Sequence, residues 1–377
     1  MKTYKFRIYP NNEQIQLIEK TIGCARFVYN YCLAQQKKDE YYWTVVENMV
    51  KTGVLPENQW KGQFFSKFDA IKILPELKSN HLFLKEVDSI ALQASIENLG
   101  EGYRRYYKKL SDHPKFKSKK REVKAYTTKM TGGNIEVLDS HIKLPKLGLV
   151  KFAKSREVHG TIKRVNIKRV PSGKYYISIF CEVEISQLPT ISKKIGIDVG
   201  LKNFAITSDA EVIANPKYFK KSEKRLIFLQ RGMSRKVPGS KNFQKAKRKV
   251  ARQYEIITNQ KRDFLHKLST RLINENQVIV IEDLRISNLL KNEKLAKAIS
   301  EVSWYEFRTM LEYKADWYGR EIIIAPSNYA SSQLCSTCGH KNPAVKNLAL
   351  RTWICPVCGV EHDRDINASL NLLKLAS

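Results

Sequence analysis

Residues 335–367 read CSTCGHKNPAVKNLALRTWICPVCGVEHDRDIN. Cys335 and Cys338 form one C-x-x-C pair and Cys355 and Cys358 a second, with sixteen residues between the pairs. Two such turns supply the four soft ligands that a tetrahedral Zn²⁺ needs, and the spacing is that of a structural zinc ribbon. Gly339 and Gly359, each one past the second cysteine of its pair, suit the tight turn of a knuckle. Four filled positions leave no open coordination site, so the zinc is expected to be structural. The competing reading, four thiols buried by coincidence, has to explain a doubled motif. His340 and His362 could substitute as ligands, but nothing requires them.

Working outward, the run His362-Asp363-Arg364-Asp365 opens a final helix, from about Asp365 to Leu375. Far upstream, Ile195-Gly196-Ile197-Asp198-Val199-Gly200 is an apolar strand ending in an acid, and Gln277–Ile281 is a second, ending in Glu282-Asp283. Short strands are predicted near Phe204–Thr207, Glu211–Ala214 and Glu321–Ala325, with a helix over about 302–318. The order β-β-β-α-β-α-β, an insert, then α is RNase H-like. It places acids on the first strand, the fourth strand and the last helix. Three hard oxygen ligands converging there are what two Mg²⁺ ions need to cleave a phosphodiester. One strand-terminal acid is weak evidence, since it is often a cap or turn residue; the set in this order is much stronger. Period-two geometry lets only one of Glu282 and Asp283 point inward, and Asp363 and Asp365 offer the same choice.

The chain of 377 residues carries 67 Lys and Arg against 37 Asp and Glu, a net charge of +30, and is 42% hydrophobic. That is apolar enough for packed cores and argues against global disorder. The charge is far beyond what solubility requires and predicts a polyanionic partner, bound with counterion release. No apolar run could span a bilayer and no signal-like segment opens the chain. The expectation is therefore a soluble cytoplasmic protein without a membrane partner, whose partner is nucleic acid. Cys24, Cys32 and Cys181 stand singly in apolar surroundings and are expected to be buried hydrophobes, with no disulfide framework. Between Lys217 and Arg252 the only acid is Glu223, inside a helical stretch expected over about 217–275. No i,i+4 pairing explains that charge. Backbone contact with nucleic acid does, and Lys245, Lys247, Arg248, Lys249 and Arg252 are the candidates.

The N-terminal half has two characters. KTYKFRIY (2–9) alternates, with Tyr4, Phe6 and Ile8 on one face, and has no strand nearby to pair with. Pro10-Asn11-Asn12 breaks it and caps a helix with Ile15, Ile18 and Ile22 on one side. The pattern stays helical to about residue 111, most clearly through Leu92, Ile96, Leu99, Tyr103, Tyr106 and Leu110. A basic loop over 113–121 then leads into short strands, including Ile177–Ile185 after a Pro171-Ser172-Gly173 turn. These suggest a small barrel or sandwich that strand 2–9 joins, making the helical region an insertion.

These residues resemble a known family. Its motifs stand here as YKFRIYP (4–10) with Gln14, RFVYN (26–30), PKFK (114–117), GIDVGLKNF (196–204), VIEDL (280–284), SSQLCSTCG (331–339), CPVCG (355–359) and DRDINAS (363–369). The family is TnpB, transposon-associated RNA-guided nucleases related to type V CRISPR effectors, and the resemblance covers essentially the whole chain. It implies a multi-domain α/β chain: a wedge β-barrel domain (1–10 and 112–190), an inserted helical recognition domain (11–111), a RuvC-like, RNase H-like nuclease domain (191–330 and 360–377) and a zinc-ribbon insert that binds target nucleic acid (331–359). It further implies a guide RNA from the transposon end, a double-stranded DNA target beside a short flanking motif, and Mg²⁺-dependent cutting in which Mn²⁺ can substitute. Asp198, Glu282 and Asp365 are the metal ligands by the family pattern, Gln93 falls where the flanking motif is read, and the protein is a monomer within its ribonucleoprotein. Ser369 stands where a second Ala is usual and Ala330 where Pro often precedes the Ser pair; neither removes a ligand.

Two rivals remain at this level. A guided regulator that binds DNA without cutting would not need three intact acids. An unguided, structure-selective nuclease would usually be shorter and lack the N-terminal lobes and the cysteine insert. A transposase is a weaker reading still, because the chain has no H-x-H pair to bind metal beside a nucleophilic Tyr and its histidines do not cluster as an HNH site would need.

Overall fold

The structure is a computed structural model, and it describes all residues except 57–64, 121–122, 284–301, 348 and 377. Arg121 of the basic loop and Leu284 of the VIEDL motif therefore lie outside the described residues. The chain divides into two compact units, Met1–Glu184 and Ile185–Ser377.

In the first unit, strands β1 (Lys2–Tyr9), β2 (Ala125–Lys129), β3 (Glu136–Val137), β4 (His141–Leu144), β5 (Gly148–Phe152), β6 (Thr161–Arg169) and β7 (Tyr175–Glu182) form one sheet in the order β2-β6-β7-β1-β5-β4-β3. All its pairings are antiparallel. β1 is central, paired with β7 from Lys2↔Cys181 to Ile8↔Tyr175 and with β5 at Ile8↔Phe152. Its alternation sends Tyr4, Phe6 and Ile8 inward, each 2% exposed. They join Tyr126, Ile142, Val150, Val165, Ile177 and Ile179 in one core cluster. This is a single sheet around one core, not the two layers of a sandwich, and no ladder joins β2 to β3 among the described residues. β7 ends at Glu182, short of the predicted Ile185.

Helix α1 (Asn12–Lys51) starts at a capping box: Asn11 Oδ1 accepts from the Gln14 N–H at 2.8 Å, and Gln14 Oε1 accepts from the Asn11 N–H at 3.0 Å. The Gln14 amide also donates to the carbonyls of Leu147, in the turn before β5, and Leu149, in β5, which ties the start of the helix to that hairpin. Helices α2 (Lys67–Lys72), α3 (Leu74–Asn80) and α4 (Ser89–Tyr107) follow. Their apolar faces meet α1 in a second core that includes Cys24, Val28, Cys32, Leu77, Leu92, Ile96, Leu99 and Tyr103. Cys24, Cys32 and Cys181 are all buried, and burial pushes the Cys32 thiol up to about 11. The predicted stripe on α4 stops early. The helix ends at Tyr107 and the chain turns at Lys109 (φ 57°), so Leu110 leaves the stripe for solvent; Tyr106, still inside the helix, is partly exposed and packs on His113.

The second unit is built on strands β8 (Lys194–Val199), β9 (Asn203–Thr207), β10 (Val212–Ala214), β11 (Val278–Glu282) and β12 (Glu321–Ala325), in the order β10-β9-β8-β11-β12. β10, β9 and β8 are antiparallel neighbours; β8, β11 and β12 run parallel. Parallel strands need long crossovers. Helices α5 (Tyr218–Ser234) and α6 (Lys241–Glu275) lie in the first, and α7 (Trp304–Tyr318) in the second. The long basic stretch is thus two helices, broken at Pro238-Gly239 where proline cannot continue the ladder.

One face of this sheet is covered by α6 and α7, where Ile195, Ile197, Ile279 and Ile281 meet Leu265, Leu272, Phe307 and Leu311. The other face carries Val278 and Val280, which meet Leu372 of helix α8 (Arg364–Leu373). Gly196 lies on that second face. A Cβ there would stand 2.1 Å from the Ser369 carbonyl oxygen and 2.6 Å from the Leu373 nitrogen. The missing side chain lets α8 lie directly on β8, and the small Ala368 and Ser369 permit the same approach from the helix side.

Candidate metal-binding carboxylate cleft and cysteine cluster

Asp198 is two residues on from Gly196, and Glu282 two on from Val280. Both therefore project from the α8 face of neighbouring parallel strands. Asp365, in the first turn of α8, completes the group. All three line one cleft of about 320 Å³, together with Lys202, Ser332, Arg351 and Arg364.

The open choices between adjacent acids are distributed by the fold. Asp283 falls on the opposite face from Glu282, where Arg308 of α7 holds it at 2.8 Å and also bonds Glu312 at 2.8 Å. Asp363 caps α8, its Oδ1 accepting from the backbone N–H groups of Asp365 and Ile366 at 3.0 Å each. Its carboxylate serves the helix terminus, and Asp365 is left to the cleft.

The electrostatics of the cleft are those of too many acids. Asp198 is held well above the usual carboxylate range by burial, then by the charges of Glu282 and Asp365. Their mutual side-chain interaction raises Asp198 further and pulls Glu282 the other way. Glu282 is also raised, by burial first, against the hydrogen bonds from Ser331 and Asp198 and the charge of Arg364. Asp365 accepts from Arg351 Nη1 at 3.2 and 3.3 Å. Close acids of this kind cannot all ionise without added positive charge. An oxygen-only donor set is also the kind that hard divalent cations take.

The four cysteines form a separate cluster. Cys335 and Cys358 have their sulfurs 3.6 Å apart, Cys338 and Cys355 likewise, and all four Sγ atoms lie within 4.8 Å of one another. A tetrahedral ion with Zn–S bonds of about 2.3 Å sets sulfurs about 3.8 Å apart, so the group fits one. Each pair is held by the same turn: the Gly339 N–H donates to the Cys335 carbonyl and the Gly359 N–H to the Cys355 carbonyl, both at 2.9 Å, with φ of 77° and 71°. Neither histidine is needed as a ligand. His362 Nε2 instead lies 3.0 Å from Cys335 Sγ, placed to donate to a thiolate, while its ring packs on Trp353. Strands β13 (Thr352–Ile354) and β14 (Glu361–Asp363) pair antiparallel beneath the second knuckle.

Comparison with known proteins gives these features a family. A family described as "Probable transposase" matches residues 178–293, one described as "Cas12f1-like, TNB domain" matches 304–372, and one described as "Helix-turn-helix domain" matches 1–42. A protein of Streptomyces pristinaespiralis named "Putative RNA-guided DNA endonuclease" is 37% identical over 99% of this chain and 88% of its own length. One of Escherichia coli K12 with the same description is 32% identical over 99% of this chain and 92% of its length. A mimivirus "TnpB-like protein" is 23% identical over 98% of this chain and 72% of its length. The chain belongs to the TnpB family. A solved complex, "Cryo-EM structure of the Cas12f1-sgRNA-target DNA complex", overlaps loosely, at 16% identity and a TM-score of 0.38, covering 100% of this chain and 99% of that one.

The helix-turn-helix description does not suit this TnpB chain. Residues 1–42 hold β1 and most of the continuous helix α1, so no second helix follows a turn there. Gln93 sits on α4 with an exposed side chain between buried neighbours. Lys245, Lys247, Arg248, Lys249 and Arg252 are all exposed on α6, and among the described residues none of them has an ion-pair partner. Three features of the TnpB site are not legible in the sequence: Arg351 on Asp365, Ser331 on Glu282 and His362 on Cys335. The first two join side chains distant in sequence, and no local pattern signals them. His362 is suggested by its position only as a substitute ligand, not as a donor to one.

Proposed function

We propose that this TnpB protein is an RNA-guided DNA endonuclease that cleaves double-stranded DNA beside a short flanking motif. The observation that carries the reading is the convergence of Asp198, Glu282 and Asp365, from β8, β11 and α8, on one cleft. The relatives' names supply the guided, DNA-directed part. In this reading the five-stranded sheet with α6, α7 and α8 is the RuvC-like, RNase H-like nuclease domain (191–330 and 360–377). The cysteine lobe (331–359) is its zinc-ribbon insert, the seven-stranded sheet (1–10 and 112–190) the wedge domain, and 11–111 the recognition domain, with Gln93 reading the flanking motif.

Asp198, Glu282 and Asp365 would hold two Mg²⁺ ions, which when bound supply an activated water and stabilise the departing oxygen. Ligation would favour the ionised forms of Asp198 and Glu282, which burial disfavours in the metal-free cleft. Ser331 holds one oxygen of Glu282. Arg351, Lys202 and Arg364 present positive charge to the same space, where a scissile phosphate would lie. Cys335, Cys338, Cys355 and Cys358 would hold Zn²⁺ structurally. Guide pairing would supply most of the sequence specificity, the protein recognising duplex shape and the flanking motif.

The test is to express the protein with its native flanking DNA and sequence the RNA that co-purifies. One discrete species that directs Mg²⁺-dependent cutting of a matching DNA is expected. Guided binding without a nick would favour the regulator. Cutting of branched DNA without RNA would favour the unguided nuclease.

A further inference from the structure

The segment that leads into the first cysteine knuckle is bound to the carboxylate cleft by side chains outside the acid triad itself. Ser331 is buried, at 4% exposed, and its hydroxyl donates to Glu282 Oε1 at 2.8 Å. Its own backbone is held in turn: the Asn371 amide donates to the Ser331 carbonyl at 2.8 Å and to the Leu334 carbonyl at 2.6 Å. One turn earlier on α8, the Asn367 amide donates to the same Leu334 carbonyl at 2.6 Å and accepts from the Ser336 N–H at 2.8 Å. Tyr329 Oη closes the set by donating to the Asn371 carbonyl at 2.9 Å. Asn367 and Asn371 are 1% and 2% exposed. Two asparagines at i and i+4 share one helix face, so both amides address the same stretch of chain.

Buried amides of this kind are costly unless satisfied, and here they are spent on one short segment, 331–336. The segment is thereby fixed to the helix that carries Asp365, and it delivers one hydroxyl to Glu282. A carboxylate at a strand end has free rotation about its side-chain bonds, and a single strong hydrogen bond to one oxygen removes most of it. Glu282 itself lines the cleft.

We propose that Ser331 is a positioning residue for Glu282, held in place by Asn371, and that it sets the divalent-metal affinity of the carboxylate cleft. This rests on the reading of Glu282 as a metal ligand given above. Ser331 touches neither the ion nor the nucleic acid. It lowers the cost of assembling the site by keeping Glu282 in its binding rotamer before the ion arrives, as outer partners of metal ligands commonly do.

The experiment uses the full-length protein purified with its co-purifying RNA, in wild-type, Ser331→Ala, Ser331→Thr and Glu282→Ala forms. Mn²⁺ binding is read by the loss of the free-ion EPR signal, and cleavage is followed as a function of Mg²⁺. Zinc content and melting temperature are measured alongside. For Ser331→Ala the expected result is a rise in the Mn²⁺ dissociation constant and in the Mg²⁺ midpoint of about tenfold or more. The maximal rate should recover at saturating metal, with zinc content and melting temperature unchanged. Ser331→Thr, which keeps the hydroxyl, should return both midpoints toward wild type. Wild-type Mn²⁺ affinity in Ser331→Ala would overturn the proposal. So would loss of zinc from that variant, which would place the effect at the knuckle. Glu282→Ala separates the two levels: if it binds Mn²⁺ and cuts like wild type, the ligand assignment itself fails, whatever Ser331 does.

Discussion

The second unit holds two clusters of candidate metal ligands, and they are built in opposite ways. The cysteines come from 24 consecutive residues, Cys335 to Cys358, folded by two copies of one turn. Their sulfurs already lie near tetrahedral spacing. The carboxylates come from two strands and a helix spread between Asp198 and Asp365, and they are brought together by close packing of α8 on β8 at Gly196. The first cluster has little core of its own: Cys335, Val345, Trp353 and Cys355, with Leu350 beside them. The second sits on a sheet buried on both faces, which holds its acids together against their own repulsion. Once loaded, a soft cluster of the first kind would help fold its lobe, whereas a hard cluster of the second kind would burden the fold until a cation relieved it.

The largest expected effect tests the hard cluster. Asp198→Ala, Glu282→Ala and Asp365→Ala should each reduce DNA cleavage below detection while leaving RNA and DNA binding near wild type. Gel cleavage and binding assays on the same preparations check this. Asp283→Ala and Asp363→Ala should keep measurable cleavage, because the first loses an ion pair with Arg308 and the second a helix cap worth about 0.5–2 kcal/mol. If Asp363→Ala were as inactive as Asp365→Ala while remaining folded, the division of roles between them would be wrong.

Next is the soft cluster. Cys355→Ser, or strong chelation, should release one equivalent of zinc per chain and open residues 335–363 to protease. Ligation free energy in small zinc modules is about 10–16 kcal/mol, far more than the lobe's few apolar residues can replace. The sheet of the second unit should stay folded, since none of its core depends on the cysteines. Protease mapping with a zinc assay separates this from global unfolding, which would make the lobe inseparable from its host.

The two clusters also differ in how far the sequence reveals them. The doubled C-x-x-C needs only spacing, because its ligands are local. The strand-terminal acids are visible as strand ends, yet their direction is open at both Glu282/Asp283 and Asp363/Asp365. What decides each pair is partly local and partly not. Asp363 just before an amphipathic helix is itself a capping signal, so that choice lies within reach of the sequence. Asp283 is settled by Arg308, on a helix across the sheet, and nothing near Asp283 announces that. Leu110 shows the converse limit: its spacing continues the stripe on α4, but the helix stops before the pattern does.

A smaller effect follows from the two raised carboxyls. Asp198 and Glu282 have folded-state values raised above their unfolded ones. Their favourable contribution is full below the ordinary carboxylate range. It is lost as pH rises from there through the raised folded values, because the folded state holds protons that the unfolded state has released. Metal-free protein should therefore lose stability on going from acidic to mildly alkaline buffer. Asp198→Asn should flatten that slope and raise the alkaline melting temperature by about 2–4 °C per kcal/mol relieved. Added Mg²⁺ should raise the wild type more than the variant. Identical melting curves for the two proteins across pH, with and without Mg²⁺, would contradict the raised carboxyls.

The smallest effect concerns charge outside both clusters, and α6 supplies its own control. Towards its C-terminal end the cations are paired: Arg262 with Glu306, Lys267 with Asp263 and Arg271 with Glu211. Towards its N-terminal end Lys245, Lys247, Arg248, Lys249 and Arg252 have no such partners among the described residues. Unpaired like charges on one helix repel, so they cost stability unless a polyanion neutralises them. Removing one phosphate-neutralising cation should lower the slope of log K against log salt by about 0.7–0.9, equally for all sequences. Changing Lys245, Lys247 and Lys249 together to Gln should thus weaken nucleic-acid binding and flatten its salt dependence, with the cleavage rate at saturation kept. Lys267→Gln should change neither slope nor affinity, because that charge is already answered within the protein. Salt titrations of the two variants distinguish a nucleic-acid track confined to the N-terminal part of α6 from a surface that is merely basic along its whole length. In the second case both variants would shift alike.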